Sequence, residues 1–233
     1  MDGGGVTTAE SAVPAFAAPR HARLWPAVVA HLPPGEMAHD QHHLLRVYHW
    51  ALRLAPEAGA DTDLAGATAL VHDLTFVPKD SPDRALGGER SAAAAPLVLA
   101  AAGYQPEEIA AISAAVRTSS WSRGLAPDNA LGVVLQDADR LDALGAIGLL
   151  RTAACGQFMA SAQRPGRFYH PVDPLAASGR PLNDRTQVVD HLYAKLFHLA
   201  AGMRLPTAQA EAERRSQFLQ AFVRELQAEV APV

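Results

Sequence analysis

Apolar residues in this 233-residue chain recur three and four positions apart, and no stretch alternates apolar with polar residues over the length of a strand. From Gln41 onward, His43, Val47, Trp50 and Leu54 share one helical face, and Pro56 closes the run. Asp63 reads as the N-cap of a second run, Leu64 to about Leu74. Ser91 to Ala102 forms a third, with Pro96 as a candidate kink and Gly103-Tyr104 as its end. Pro106-Glu107-Glu108 opens a fourth, carried by Ile109, Ile112 and Val116. Leu131 to about Ala160 is the longest apolar stretch, interrupted by Gly132, Gly145, Gly148 and Gly156. Val188 to about Ala201 and Ala208 to about Glu229 follow, with Phe218, Phe222 and Leu226 stepping by four. No internal repeat or sustained heptad is visible. This patterning, in an alanine-rich chain, predicts an all-α, compact multi-helix fold with no significant sheet.

The interruptions set the organisation. Residues 1–22 begin Met-Asp-Gly-Gly-Gly, continue with Thr, Ala and Pro, and show no apolar period, so they read as a flexible tail ahead of one domain over 23–230. Val77 to Arg84 holds two prolines and reads as a loop. Gln163 to Arg185 is polar, rich in Pro and Gly, and long enough to border or cover a pocket. Apolar residues make up 49% of the chain, enough for a core. The net charge of −4 argues against gripping a nucleic acid duplex by bulk charge. The single cysteine, Cys155, excludes an intrachain disulfide framework and a cysteine-based zinc site, and reads as a small buried residue. No apolar run approaches the roughly 18 residues of a membrane span, and the opening residues lack a secretory pattern, so a cytoplasmic protein is expected.

Ten histidines prompt a search for metal ligands. HExxH, paired CxxC, the P-loop and the dinucleotide glycine fingerprint are all absent. What remains is a set of His and Asp residues on separate predicted helices: His43, the doublet His72-Asp73, and Asp137 with Asp139. Such donors suit one divalent ion, whether Mn, Fe, Co, Ni, Zn or Mg. An aspartate closing the apolar run Ala67 to Val71 is costly to bury without a cation. Asp137 and Asp139, two apart on a helix, cannot face the same way. Arg46 shares roughly the helical face of His43, and Lys195 that of His191.

The order of these residues resembles the HD-domain metal-dependent phosphohydrolases. The resemblance rests on His39-Asp40-x-x-His43-x-x-Arg46-Val47, His72-Asp73, Lys79-x-x-Pro82-x-Arg84, the phrase Gln136-Asp137-Ala138-Asp139-Arg140-Leu141-x-Ala143-Leu144-Gly145-Ala146-Ile147-Gly148, and Asp190-His191-x-x-x-Lys195-Leu196. It covers roughly residues 24 to 230 and implies that His43, His72, Asp73 and Asp139 hold one metal ion. It further implies hydrolysis of a phosphate ester or anhydride of a small phosphorylated metabolite, with nucleotides as frequent substrates. Asp73, Asp137 and His39 are then candidates for acid–base work. Arg46, Lys79, Arg84, His191 and Lys195, and also Arg140, are candidates for phosphate neutralisation.

Two departures bear on mechanism. Many HD hydrolases carry an acid three positions after the doublet, where this chain has Phe76. Some near relatives have a histidine where Ser119 precedes Ser120-Trp121-Ser122, and no histidine lies between His72 and His170, so one metal is expected rather than two. A non-catalytic nucleotide-binding regulator that keeps its metal is the alternative reading. An HD-type oxygenase and a purely structural adaptor stand behind it, and a homo-oligomer is left open. Gly145 and Gly148 read as aids to close helix packing, and the Phe218 stripe as core or subunit contact.

Overall fold

A computed structural model describes residues 14–78 and 81–230. Its helices run α1 (Pro19–Val29), α2 (Gln41–Leu54), α3 (Thr62–Val71), α4 (Gly87–Ala102), α5 (Pro106–Arg117), α6 (Ala130–Asp142), α7 (Gly145–Met159), α8 (Val188–His191), α9 (Phe197–Leu199) and α10 (Pro206–Val230). A π turn, Leu192–Leu196, joins α8 to α9. Among the described residues there is no sheet; one isolated bridge links Arg167 to Gln187. The all-α expectation holds. No helix among them is long and apolar enough to cross a membrane.

The centre of the fold is α3. Every residue from Ala65 to Val71 is buried, because α1, α2, α4, α5 and α6 all pack on it. A helix that is apolar all round can only be an interior helix, and its small residues let neighbours approach closely. By contrast α2 is amphipathic and buries His43, Leu44, Val47, Tyr48, Ala51 and Leu54. His43 therefore reaches the core beside the C-terminus of α3.

Several boundaries differ from the sequence expectation. Asp61, not Asp63, caps α3, accepting the Leu64 N–H at 3.0 Å. Asp63 instead accepts from Arg20 at 3.1 Å and from the Tyr104 hydroxyl at 2.7 Å. The helix stops at Val71, three residues early, which leaves His72 as its C-cap. Pro96 lies inside α4 without ending it. Part of the expected tail is packed: Phe16 lies 5.5 Å from both Trp25 and Tyr48, the Tyr48 hydroxyl accepts the Ala17 N–H at 2.8 Å, and His21 is fully buried.

The long apolar stretch from Leu131 divides into α6 and α7. Leu144 is extended and Gly145 has φ +71°, a value that strongly favours glycine. At Gly148 a Cβ would overlap the backbone carbonyl of Ala143. Both glycines thus serve the turn between the helices, and Gly145 also lies against the Arg215 stem of α10. Gly148→Ala is expected to lower stability by about 1–3 kcal/mol, read as a lower urea midpoint with an unchanged m-value.

Candidate metal centre

Three helices deliver four side chains to one point. His43 comes from the buried face of α2, His72 and Asp73 from the end of α3, and Asp139 from α6. His43 Nε2 lies 3.5 Å from Asp73 Oδ2 and 3.7 Å from Asp139 Oδ1. The corresponding distances from His72 Nε2 are 3.5 and 3.8 Å. These separations exceed hydrogen-bond range, and both Nε2 atoms are buried with no hydrogen-bond partner. Ligand atoms about 2.1 Å from a shared ion stand roughly 3–3.5 Å apart, so the spacing suits coordination far better than hydrogen bonding.

The other ring nitrogens explain why Nε2 is bare. His72 Nδ1 donates to the Ala69 carbonyl at 2.7 Å, and His43 Nδ1 donates to Asp142 Oδ2 at 2.7 Å. With a proton held on Nδ1, each ring is set to present its Nε2 lone pair to a cation. Burial opposes ionisation of Asp73 and Asp139. Positive charge on the facing His72 and His43 rings outweighs it, holding Asp73 well below the usual carboxylate range and Asp139 below it; a cation seated between the rings would supply the same charge. Two lone pairs from buried rings and two part-exposed carboxylates at the cavity floor converge on one point, a donor set that fits a divalent cation.

Asp142 was not singled out in the sequence, although it lies three residues after Asp139 and so shares its helical face. Its buried carboxylate also accepts from Arg46, at 2.6 Å (Nε) and 3.0 Å (Nη2), and pairs with Arg151 at 3.1 Å. Burial works against its charge, but His43 and the two guanidiniums hold its pKa far below the normal range. Arg151 reaches back to the Ala38 carbonyl at 2.6 Å, tying α7 to the start of α2. Nothing in the sequence marks Arg151. Glu36 was likewise unmarked: it is buried, accepts the Ala38 and His39 N–H groups, and binds His39 Nδ1 at 2.7 Å.

A cavity of about 300 Å³ opens over three of the four donors, His72, Asp73 and Asp139. Arg84, His191 and Lys195 line it, as do His39, Arg140, Arg151 and Arg185. Lys195 lies above the Trp121 ring at 5.6 Å, and His191 Nδ1 is 3.2 Å from Asp184. The His191 and Lys195 stretch runs through the π turn, a local widening often found at functional sites. The Phe76 ring packs near His39 at 5.9 Å and near Phe158 at 6.0 Å.

Two expected site residues lie elsewhere. Asp137 turns to the opposite side of α6, where it accepts the N–H groups of Arg204 and Leu205 at 2.9 and 2.8 Å. Burial raises its pKa above the usual range despite these donors. Its carboxylate ties α6 to the entry of α10 and does not face the metal donors. Arg46 is held by Asp142 on the far side of His43 and does not line the cavity above the donors. Lys79 lies outside the described residues.

The HD domain family model matches residues 41–144, a span that contains all four donors. The chain is 30% identical over 211 residues to the uncharacterized protein YpgQ of Bacillus subtilis, a match covering 89% of this chain and 91% of the relative. It belongs to the HD-domain family. A crystal structure of a Lactobacillus plantarum protein superposes with a TM-score of 0.70 at 28% identity, covering 92% of this chain and 98% of that one. The crystal structure of YpgQ in complex with ADP gives a TM-score of 0.63 at 26% identity, covering 90% and 97%. An HD-superfamily hydrolase from Bacillus thuringiensis shares the fold, with a TM-score of 0.58 at 23% identity over 90% and 97% of the two chains.

Asp142→Asn keeps the shape of the carboxylate but loses its charge. Metal affinity is expected to fall roughly 10–100-fold with the far-UV circular dichroism retained, measured by titration of the metal-stripped protein.

Proposed function

We propose that the chain is a metal-dependent phosphohydrolase that cleaves a phosphate ester or anhydride of a small phosphorylated metabolite, with a nucleotide as the favoured substrate. The observation that carries this reading is the pair of buried, partnerless Nε2 atoms facing two ionised carboxylates at the floor of a cationic cavity. His43, His72, Asp73 and Asp139 would hold one divalent cation, which would polarise a phosphoryl oxygen and lower the pKa of a water.

The chain's own residues supply the rest. Arg84, Arg151, Arg185 and Lys195 come from four different segments of the cavity wall and are suited to bind the non-bridging oxygens of a phosphoryl group. Their spread orients the substrate and neutralises charge that develops as the ester bond breaks. Asp73 and His39 border the same cavity, and Glu36 holds the His39 ring in orientation at Nδ1. Nucleotide binding is supported by the ADP complex of YpgQ.

The test is elemental analysis followed by a nucleotide and sugar-phosphate panel, with phosphate and pyrophosphate detected separately. His72→Ala and Asp73→Ala are each expected to lose both the metal and hydrolysis; full turnover by metal-free Asp73→Ala would overturn the reading. Arg84→Ala and Lys79→Ala are expected to retain the metal while raising KM or lowering kcat by roughly tenfold, the scale of one charge-assisted hydrogen bond. Wild-type kinetics in both would remove that loop from the pocket.

A second reading, a metal- and nucleotide-binding regulator without turnover, draws on Phe76. Its ring packs beside His39 where an acid would otherwise be available to activate water. Stoichiometric metal and tight nucleotide binding, with no product released from any substrate on the panel, would favour it.

A further inference from the structure

On the far side of Asp142 from the metal donors lies a second cavity, of about 500 Å³, walled by α2, the α6–α7 turn and α10. Among the described residues, four of its lining side chains are arginines, Arg46 and Arg53 from α2 and Arg214 and Arg215 from α10, and the only lining carboxylate is Asp142. Arg46 is paired with Asp142, and Glu211 takes both Arg214, at 2.7 Å, and Arg215, at 2.6 Å. Four guanidiniums therefore share two carboxylates, and Asp142 is also claimed by His43 and Arg151. The cavity carries surplus positive charge that its own side chains do not neutralise.

Two of the arginines are also held against Trp50. The Arg53 and Arg215 guanidiniums lie 4.9 and 5.3 Å from the centre of the Trp50 ring. Cation–π contact of this kind fixes the plane of a guanidinium while leaving its edge N–H groups available. Arg215 is further anchored by donating to the Leu141 carbonyl at 2.6 Å. Its aliphatic stem passes over Gly145, where a Cβ would meet it at 3.2 Å. The first turn of α7, which has no side-chain cap, forms another part of the wall.

We infer that this cavity is a second ligand site, distinct from the cavity over the metal donors, that takes a compact polyvalent anion of the phosphate or pyrophosphate class. Guanidiniums in excess over carboxylates, two of them stacked on Trp50, match several oxygens of one anion, and bidentate N–H pairs favour the phosphoryl geometry over a lone halide. An anion seated there would compete with Asp142 for Arg46, and Asp142 is the group that holds His43 Nδ1. The site requires neither metal nor turnover, so its failure and that of the phosphohydrolase reading are separable.

The experiment is calorimetric titration of inorganic pyrophosphate into chelator-treated, full-length protein at low ionic strength. The comparison is between wild type, Arg53→Ala/Arg214→Ala, Glu211→Gln and Arg84→Ala. Arg53 is exposed and the Arg214 side chain is 69% exposed, so the double variant keeps its fold. Its pyrophosphate affinity is expected to fall roughly tenfold or more. Arg84→Ala is expected to leave this binding event intact. Glu211→Gln releases two guanidiniums and is expected to tighten binding several-fold, a gain that misfolding does not produce. In wild type, pyrophosphate is also expected to shift the His43 Nδ1–H resonance, and this shift should be lost in the double variant. Unchanged affinity in the double variant, no gain in Glu211→Gln, or loss in Arg84→Ala alone would each overturn the proposal.

Discussion

A single buried carboxylate, that of Asp142, joins α2, α6 and α7 beside the metal donor His43. It receives His43 from α2 and Arg151 from α7 while sitting at the end of α6, and Arg46 closes its remaining oxygen. Leaving such a charge unpaired in the interior would cost several kcal/mol. Each partner therefore constrains the others: the carboxylate is tolerable only while two guanidiniums and an imidazole surround it. The ring of His43 is tolerable as a ligand only while its Nδ1 proton has somewhere to go. One residue thereby sets the tautomer, the ring plane and the spacing of three helices.

The second imidazole is oriented by a different device. His72 sits where α3 ends, and the Ala69 carbonyl that it binds is one of those a helix terminus leaves without an internal partner. The side chain thus satisfies the backbone and the backbone selects its tautomer. Asp73 follows in the next position, its charge favoured by positive charge facing it. Four groups that would each be expensive to bury alone make up a coherent set once a cation is counted with them.

Much of this was legible in the sequence, for reasons that can be named. Helices show through periodicity, so α2 and α5 begin where Gln41 and Pro106 indicate. An apolar run ending in His-Asp is unusual enough to mark the end of α3 even though its N-cap was misplaced by two residues. The misplacement is itself physical. Asp61 and Asp63 are both suitable caps, and only the tertiary partners Arg20 and Tyr104 decide that Asp63 is drawn away. Arg46 and Asp142 illustrate the harder case. A helical face can be read, but which of two cavities it adjoins cannot, because that depends on how α10 and α7 pack against α2. Arg151 leaves no local signal at all, since its role exists only once α7 has folded back toward Ala38.

The metal donors and the cationic wall are built on different principles. His43, Asp139 and Asp142 stand on helices and His72 and Asp73 on the end of one, all in or beside a core that tolerates little displacement. Arg84 stands on a short turn before α4, Arg185 on the long segment before α8, and Lys195 on a widened π turn. Loops and irregular turns can change length and direction without disturbing the core. In the phosphohydrolase we propose, bond cleavage would be vested in the rigid layer, and the choice of what is cleaved in the pliable one. Under that reading, changes in the segment between α7 and α8 would redirect substrate choice while leaving the donor set on its three helices undisturbed.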